Sequence, residues 1–209
     1  MSLKSFDRFA LQYDEWFDKN RFIYESELQA IKELLPEYGN GLEVGVGSGR
    51  FAAPLNIKLG VDPSRDMGKI AQKRGIKVVK GVAESLPFTT SQFDLVLMVT
   101  TLCFLDNVKK AFEEVHRVLK PDGYFIIGFI DADSPLGKYY QHHKSESKFY
   151  NDAKFYPVKE VISYLKQTPF NDLQFRQTLF RPLSKIKHPE PVKEGFGEGS
   201  FVVIRGSKK

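Results

Sequence analysis

The 209-residue sequence is poor in the residues that build covalent or metal-bound scaffolds. Cys103 is its only cysteine, so an intramolecular disulfide and a cysteine-cluster zinc site are both excluded. The adjacent His142 and His143 are a poor case for a metal site, and we predict no bound metal. A single cysteine also favours a reducing compartment, and we predict a cytoplasmic protein.

Long apolar runs are missing as well. No stretch reaches 18 consecutive apolar residues and the first residues lack an apolar signal core, so we predict neither a membrane span nor a secretory leader. The composition is 42% hydrophobic and 27% charged, which is typical of a globular protein. The length suits one domain, and nothing in the sequence marks a boundary within it.

Most of the chain carries little net charge. The formal charge is +5, of which residues 181–209 carry +4 and residues 1–180 carry +1. A nucleic-acid-binding protein more often has a basic stripe with interleaved aromatic residues across its folded surface. We interpret the basic end as a solvated tail and expect nucleic acid not to be a partner.

The most informative stretch is a glycine-rich segment early in the chain. An apolar run that contains Glu43 meets glycines at alternate positions, Gly45, Gly47 and Gly49. This pattern predicts a strand, a turn without side chains, and a helix start whose free N–H groups face a ligand. A dinucleotide fingerprint counted from Gly45 needs glycine where the chain has Arg50, so pyrophosphate binding is the weaker interpretation. Glu43 could instead receive a ligand ammonium, or be a solvated acid beside an ordinary turn.

Strands and helices alternate after this turn. Further strands are predicted over 57–62, 76–80, 93–99 and 124–130, with an amphipathic helix from Asp106 to Leu119 among the helices between them. Such alternation predicts an α/β fold with a parallel sheet that binds its ligand at the carboxyl edge. A helix at 157–168 and strands at 173–180 and 201–205 follow.

Asp62 ends the second predicted strand, 19 residues after Glu43. In a doubly wound sheet the second strand lies beside the first, so an acid at its tip can accept hydrogen bonds from both hydroxyls of a ribose. A role as the cap of the next helix is the alternative.

Two segments outside this alternation are candidates for covering a ligand. Residues 5–22 place Phe6, Phe9, Tyr13, Trp16 and Phe17 at helical spacing, which indicates either core packing or a helix over the cleft. Residues 131–156 are too long for a routine connection, and we predict a lid.

Four motifs together resemble those of the class I S-adenosylmethionine-dependent methyltransferases, and more narrowly the branch that includes the ubiquinone and menaquinone biosynthesis enzymes. They lie at 43–49, 60–67, 81–88 and 119–124. The resemblance implies a Rossmann-like fold, with a mostly parallel seven-stranded sheet, helices on both faces and an antiparallel C-terminal strand. It also implies one domain over 1–209, with an N-terminal helical cap at 1–35, and S-adenosyl-L-methionine as the cofactor.

The resemblance further assigns roles to individual residues. The glycines would bind the methionine part of the cofactor. Glu43 would interact with the ammonium group of that part, and Asp62 would accept hydrogen bonds from the ribose. Val82 stands where the family usually has an acid for the adenine amino group, so either Glu84 or the main chain of Ala83 replaces that contact. The other implied cofactor contacts are Tyr13 at the methionine end, Met67, Ala83 and Leu86 beside the adenine, and Thr100 and Thr101 near the reacting methyl.

The acceptor is left open at this stage, as is whether C, N, O or S is methylated. A general base is needed only if the acceptor arrives protonated, and its candidates are Tyr139, Tyr140, His142 and His143. A methyltransferase for a small molecule is favoured by the nearly neutral body and the aromatic N-terminal helix. A methyltransferase for RNA or protein and a cofactor-binding protein without transfer activity are the alternatives.

Overall fold

A single mixed sheet organises the computed structural model, which describes residues 3–209. The strand order is β3-β2-β1-β4-β5-β8-β6-β7. The strands are β1 (Gly41–Val44), β2 (Leu59–Asp62), β3 (Lys77–Lys80), β4 (Phe93–Val99), β5 (Leu119–Ile130), β6 (Phe170–Thr178), β7 (Lys193–Glu194) and β8 (Phe201–Lys208). Strands β1 to β5 pair in parallel, whereas β8 is antiparallel to both β5 and β6, and β7 is antiparallel to β6.

Seven α-helices within residues 3–209 accompany the sheet. They are α1 (Leu3–Arg8), α2 (Ala10–Lys19), α3 (Arg21–Leu34), α4 (Arg65–Lys73), α5 (Val108–Val118), α6 (Pro135–His143) and α7 (Val158–Gln167). Side chains that precede α4, α5 and α6 accept a hydrogen bond from an N–H of the first turn, which is why these helices begin where they do. None of the helices in this part of the chain is long and apolar enough to cross a bilayer.

The predicted α/β fold with helices on both faces is confirmed. Alternate residues of β4 belong to different hydrophobic clusters, because successive side chains of a strand point to opposite faces. Val96 and Met98 pack in the cluster that contains residues of α5 and α7, and Leu97 packs in the cluster that contains residues of α3 and α4. The sheet contains one short strand, β7, beyond the seven expected.

The prediction of a helix directly after the glycine turn is wrong, because residues 50–56 form consecutive turns. Pro54 has no N–H, and in a helix its ring would collide with the carbonyl of Arg50. That carbonyl instead accepts a hydrogen bond from the Tyr24 hydroxyl at 2.6 Å. Asn56 then takes a positive φ of 62° and ends the turns before β2. A helix dipole therefore does not contribute to ligand binding at this turn.

Both predicted covering segments contain helices. The single helix expected over 5–22 is divided at Phe9 into α1 and α2, and α3 already begins at Arg21. Residues 131–156 include α6, which starts with the favourable pair of a Ser134 cap and Pro135. Residues 1 and 2 of the predicted cap lie outside the described residues.

The prediction of a solvated basic tail is wrong, because residues 181–209 contain β7 and β8. Five of the seven basic side chains in this segment bond to a carboxylate or to a backbone carbonyl. The pairs are Arg181 with Glu190, Lys193 with Glu198, Arg205 with the Leu34 carbonyl, Lys208 with the carbonyls of His116 and Leu119, and Lys209 with Asp172.

Gly49 has a packing role in this fold. Its φ is +81°, and a Cβ atom added there would lie 2.5 Å from Cδ1 of the buried Ile76 and 3.2 Å from Cβ of Ala71. Gly75 has a similar φ of +80° but no atom within 4 Å of the added Cβ. Substitution of Gly75 would therefore introduce backbone strain alone, whereas substitution of Gly49 would introduce the same strain and steric overlap as well.

We expect Gly49→Ala to destabilise the protein more than Gly75→Ala does. Both substitutions introduce a side chain in the left-handed region, at a cost of roughly 1–2 kcal/mol. The overlap at position 49 should add about 1–3 kcal/mol, because the core there is already filled. Urea unfolding of the two variants and the wild type measures the difference, and equal losses would contradict this account.

Candidate active site

A cleft opens at the carboxyl ends of β1, β2 and β4, where the strand order changes direction. This is the position at which doubly wound sheets bind their ligands. The space in the cleft, together with the open solvent at its mouth, is about 500 Å³. Its walls are formed by Phe6, Tyr13, Gly45, Gly47, Asp62, Pro63, Ser64, Met67, Val99, Thr100, Thr101 and Phe104.

The glycine turn forms the floor of this cleft with bare backbone. Gly45 and Gly47 have positive φ values of 71° and 50°, and a Cβ at Gly45 would collide with the Thr101 side chain. A Cβ at Gly47 would lie 3.2 Å from the terminal methyl of Met67. Both positions therefore need glycine, for backbone conformation and for space. Gly49 does not line the cleft.

Asp62 joins the two turns that border the cleft. Its Oδ2 accepts the N–H of Gly47 at 2.7 Å and its Oδ1 accepts the N–H of Ser64 at 2.8 Å. Burial to 9% exposure raises the pKa of Asp62 to about 6, against the lowering effect of these two hydrogen bonds. Each carboxylate oxygen retains acceptor capacity for a hydroxyl group.

Glu43 is 1% exposed, and its Oε2 has no hydrogen-bond partner. Burial raises the pKa of Glu43 well above its usual range, a hydrogen bond from the N–H of Ala52 opposes the rise, and the charge of Asp62 adds to it. An unpartnered carboxylate oxygen inside a protein is costly, so it is a position that a positively charged ligand group would stabilise. Glu43 itself does not line the cleft.

A groove of about 880 Å³, open to solvent, continues from the cleft and shares Gly45, Pro63, Thr101 and Phe104 with it. Val82, Ala83 and Glu84 form its opposite side.

Glu84 lines the groove, whereas Leu86 lies in the core. Oε1 of Glu84 accepts the N–H groups of Asp106 at 2.9 Å and of Asn107 at 3.2 Å, so this oxygen is used to hold the start of α5. Leu86 is buried in the core and does not line the groove, whereas Val82 is 41% exposed on it.

Arginine side chains hold α2 to the glycine turn. Arg50 donates to Oδ1 of Asp14 at 2.8 Å and to Oδ2 of Asp18 at 2.7 Å, and Arg74 donates to Oδ2 of Asp14 at 2.8 Å. Burial by itself would raise the pKa of Asp14, but the hydrogen bonds from Arg50 and Arg74 outweigh it and lower the pKa to about 2. The residue that interrupts the dinucleotide fingerprint, Arg50, thus anchors the N-terminal helices.

Thr100 lies at the end of β4 with a positive φ of 51°. This conformation is rare for a β-branched residue, and such strain is concentrated at functional sites. The N–H of Thr100 donates to the carbonyl of Gly128 at 2.8 Å, while the hydroxyl of Thr101 donates to the carbonyl of Val99 at 3.0 Å. Thr100 faces the cleft on one side and a second cavity on the other.

This second cavity, here called the aromatic cavity, adjoins the cleft at Tyr13 and Thr100, and its space together with the open solvent at its mouth is about 540 Å³. Helices α2, α3 and α6 contribute most of its walls. It is lined by Tyr13, Trp16, Phe17, Ile23, Glu27, Thr100, Ile130, Leu136, Tyr140, Phe149, Tyr150, Leu179 and Leu183.

Glu27 is the residue in this cavity that the sequence predictions missed. It is 4% exposed, and burial raises its pKa to about 8. The sequence did contain a signal for Glu27. It lies at helical spacing from Ile23, Ala30 and Ile31, which are all buried, so it belongs to the inward face of α3. An acid on the inward stripe of an amphipathic helix is unusual enough to mark a candidate.

The four candidate bases separate into two groups. Tyr139 is 55% exposed and stacks on His143 with ring centroids 4.3 Å apart, and His142 and His143 are exposed. These three line neither the cleft nor the aromatic cavity, because adjacent positions on α6 point in different directions. Tyr140 does line the aromatic cavity, and burial raises the pKa of its hydroxyl.

Other chemistry near the site is limited. Within residues 3–209, no three His, Cys, Asp or Glu side chains are grouped so as to hold a metal ion. Burial raises the pKa of the Cys103 thiol to about 12, which leaves it protonated at neutral pH.

The strand order and the position of the cleft define a protein of the Rossmann-like α/β class, whose members bind their ligands at this edge of the sheet. A model described as a methyltransferase domain matches residues 42–127. The structure of an S-adenosylmethionine-dependent methyltransferase from Thermotoga maritima has a TM-score of 0.96 and 50% identity, with 99% of each chain covered. A protein of Methanocaldococcus jannaschii is 53% identical over 97% of this chain and 98% of its own.

A more distant relative is the mitochondrial 2-methoxy-6-polyprenyl-1,4-benzoquinol methylase of Bos taurus, 26% identical over 81% of this chain and 48% of its own. The chain belongs to the class I S-adenosylmethionine-dependent methyltransferases. It is a methyltransferase, and S-adenosylmethionine is its cofactor.

We expect Asp14→Asn to loosen the N-terminal helices. The neutral amide cannot match both arginines, so opening of α1 and α2 should become easier by about 1–3 kcal/mol. Hydrogen exchange of amides in residues 3–19 measures this opening. Glu15→Gln is the control, since its pair with Lys19 is exposed and contributes little. Equal exchange in the two variants would show that the arginine contacts do not hold the helices.

We expect Glu27→Gln to flatten the pH dependence of stability. The folded-state pKa of about 8 lies above the ordinary 4.5, so the folded protein holds more protons between these values. Its free energy of unfolding therefore falls as the pH rises through that window, by at most about 1.4 kcal/mol per pH unit for this group.

Urea unfolding at several pH values between about 5 and about 9 tests this expectation. Glu43 and Asp62, whose pKa values are also raised, titrate in wild type and variant alike, so the difference between the two proteins reports Glu27. Glu25→Gln on the same helix is the matched control, because Glu25 pairs with Arg21 near the surface. Identical pH profiles for wild type and Glu27→Gln would contradict the raised pKa.

Proposed function

We propose that this methyltransferase transfers its methyl group to a small molecule that binds in the aromatic cavity while the cofactor occupies the cleft. The observation that carries the proposal is that the two spaces meet at Tyr13 and Thr100. An acceptor in one space and a methyl donor in the other would then be held next to each other, which is the main requirement of a transfer reaction.

The residues of the cleft suit S-adenosylmethionine. In this proposal the bare backbone of Gly45 and Gly47 receives the methionine part. Glu43, which is buried and does not line the cleft, stabilises the ammonium through its charge and not by direct contact. Asp62 accepts the ribose hydroxyls, and Met67 packs beside the base. The sulfonium group of the bound cofactor supplies a methyl group that is already activated, so the protein has to bind, align and exclude water.

The groove wall formed by Ala83 suits the adenine. Glu84 is not free for the adenine amino group through Oε1, because that oxygen accepts two backbone N–H groups. The main chain of Ala83 is therefore the better candidate for this contact. Leu86 supports the wall from within the core.

Several observations favour a small acceptor over RNA or protein. The walls of the aromatic cavity come from α2, α3 and α6 and from inward-facing rings, and such a space suits a metabolite. Five of the seven basic side chains in 181–209 are engaged by carboxylates or backbone carbonyls within the fold, so they are not free for the phosphate contacts that RNA binding needs. The Thermotoga maritima protein is described as a possible histamine N-methyltransferase, which is also an activity on a small molecule.

Release of S-adenosylhomocysteine, measured with a panel of metabolites, with RNA and with protein, tests the acceptor class. We expect turnover with one or more small molecules and none with the macromolecules. Turnover with RNA or protein alone would overturn the proposal.

We expect Asp62→Ala to weaken binding of S-adenosylmethionine by roughly 1–3 kcal/mol, through loss of charge-assisted hydrogen bonds to the ribose. Asp62→Asn keeps the size of the side chain and should fall between the wild type and Asp62→Ala. Calorimetric titration measures the dissociation constants, with Asp66→Asn as the control because Asp66 pairs with Lys69 at the surface. An unchanged dissociation constant in Asp62→Ala would remove Asp62 from the cofactor site.

A further inference from the structure

The aromatic cavity contains a carboxyl group that the cofactor does not explain. Among the lining residues, all of which lie within the described part of the chain, Glu27 is the only Asp, Glu, Lys, Arg or His. It shows neither a hydrogen bond nor an ion pair to any residue in 3–209, and burial is the cause of its raised pKa. A carboxyl group without a partner is costly to bury, so its place on an apolar helix face calls for a function.

The two arginines that hold α2 are already engaged. Arg50 and Arg74 are held by Asp14, and Arg50 is also held by Asp18. None of the residues that line the cavity, within the described chain, is a lysine or an arginine. A positive charge for Glu27 would therefore come from a ligand.

The rings around Glu27 favour the same kind of ligand. Tyr13 and Phe149 contact each other with centroids 5.2 Å apart, and Tyr140 and Tyr150 do so at 5.1 Å. Aromatic faces attract an ammonium group and accommodate an apolar body.

We infer, on the basis of the proposed function, that the acceptor is a compact organic amine whose ammonium group pairs with Glu27 and whose apolar part packs against the rings of the aromatic cavity. Tyr13 and Thr100, which separate this cavity from the cleft, are then the residues between which the nitrogen reaches the methyl group.

Glu27 can also accept the proton that an ammonium group must lose before its nitrogen is methylated. An ammonium has no lone pair, so a proton first passes from the nitrogen to the carboxylate, which leaves a neutral amine and a neutral Glu27. The nitrogen lone pair then forms the new N–C bond while the C–S bond breaks and its electron pair goes to sulfur. The product is a methylammonium ion, and Glu27 returns its proton to water. A carboxyl group that titrates near neutral pH suits this exchange.

Calorimetric binding of two probes of similar shape tests the inference. The protein is saturated with S-adenosylhomocysteine, which prevents turnover, and titrated with 2-phenylethylamine or with its neutral analogue 2-phenylethanol. We expect the wild type to bind the amine at least about tenfold more tightly than the alcohol, through the ion pair and the aromatic faces. Glu27→Gln should lose this preference, and Glu25→Gln, on the exposed side of the same helix, should keep it.

Proton release gives a second readout that needs no variant. At a pH below 8, Glu27 is protonated in the empty cavity, and an ion pair with the ammonium displaces that proton. Titration in two buffers with different ionisation enthalpies should therefore show that close to one proton is released per amine bound, and none per alcohol. A wild type that binds the alcohol as well as the amine, or binds the amine without proton release, overturns the inference.

The failure of the inference and the failure of the proposed function are distinguishable. If the protein binds S-adenosylhomocysteine and methylates neutral or anionic small molecules but no amine, the inference falls and the proposed function stands. If the protein methylates only RNA or protein, the proposed function falls, and the inference falls with it.

Discussion

The carboxylate of Asp62 is the contact on which the site geometry depends. One side chain accepts the N–H of Gly47 and the N–H of Ser64, so it fixes the turn after β1 to the turn between β2 and α4. The glycines allow this closeness because they bring no side chains of their own. The Asp62 contact adds a side-chain link to the backbone hydrogen bonds from Gly45 and Val46 to the carbonyl of Val61, and together they fix the floor of the cleft to one wall.

Both cavities have buried carboxyl groups in or near their walls. Glu43, Asp62 and Glu27 are all buried, and burial raises the pKa of each. Their cost in stability is the usual sign of a site arranged for ligands rather than for the fold alone. The cofactor of this family is itself a cation with an ammonium and a sulfonium group, so its charge complements buried carboxyl groups.

The N-terminal helices link the two cavities mechanically. Tyr13 of α2 lies on both walls, while Asp14 on the same helix is held by Arg50 from the glycine turn. Asp7 of α1 accepts a hydrogen bond from the hydroxyl of Ser64, which caps α4, at 2.6 Å. The elements that hold the cleft together therefore also position a wall of the aromatic cavity.

The sequence by itself determined the alternation of strands and helices, the span of β4 and the glycine turn, because periodicity and glycine spacing act locally. It also held a signal against the helix expected after the glycine turn, because Pro54 has no N–H and its ring would collide with the carbonyl of Arg50 in a helix. The structure adds that this carbonyl accepts a hydrogen bond from Tyr24 instead. Only the tertiary structure decided that Tyr140 faces a cavity while His142 and His143 do not, and that Glu27 is buried among rings. Those facts depend on how helices far apart in the chain pack together, and local pattern carries no record of that packing.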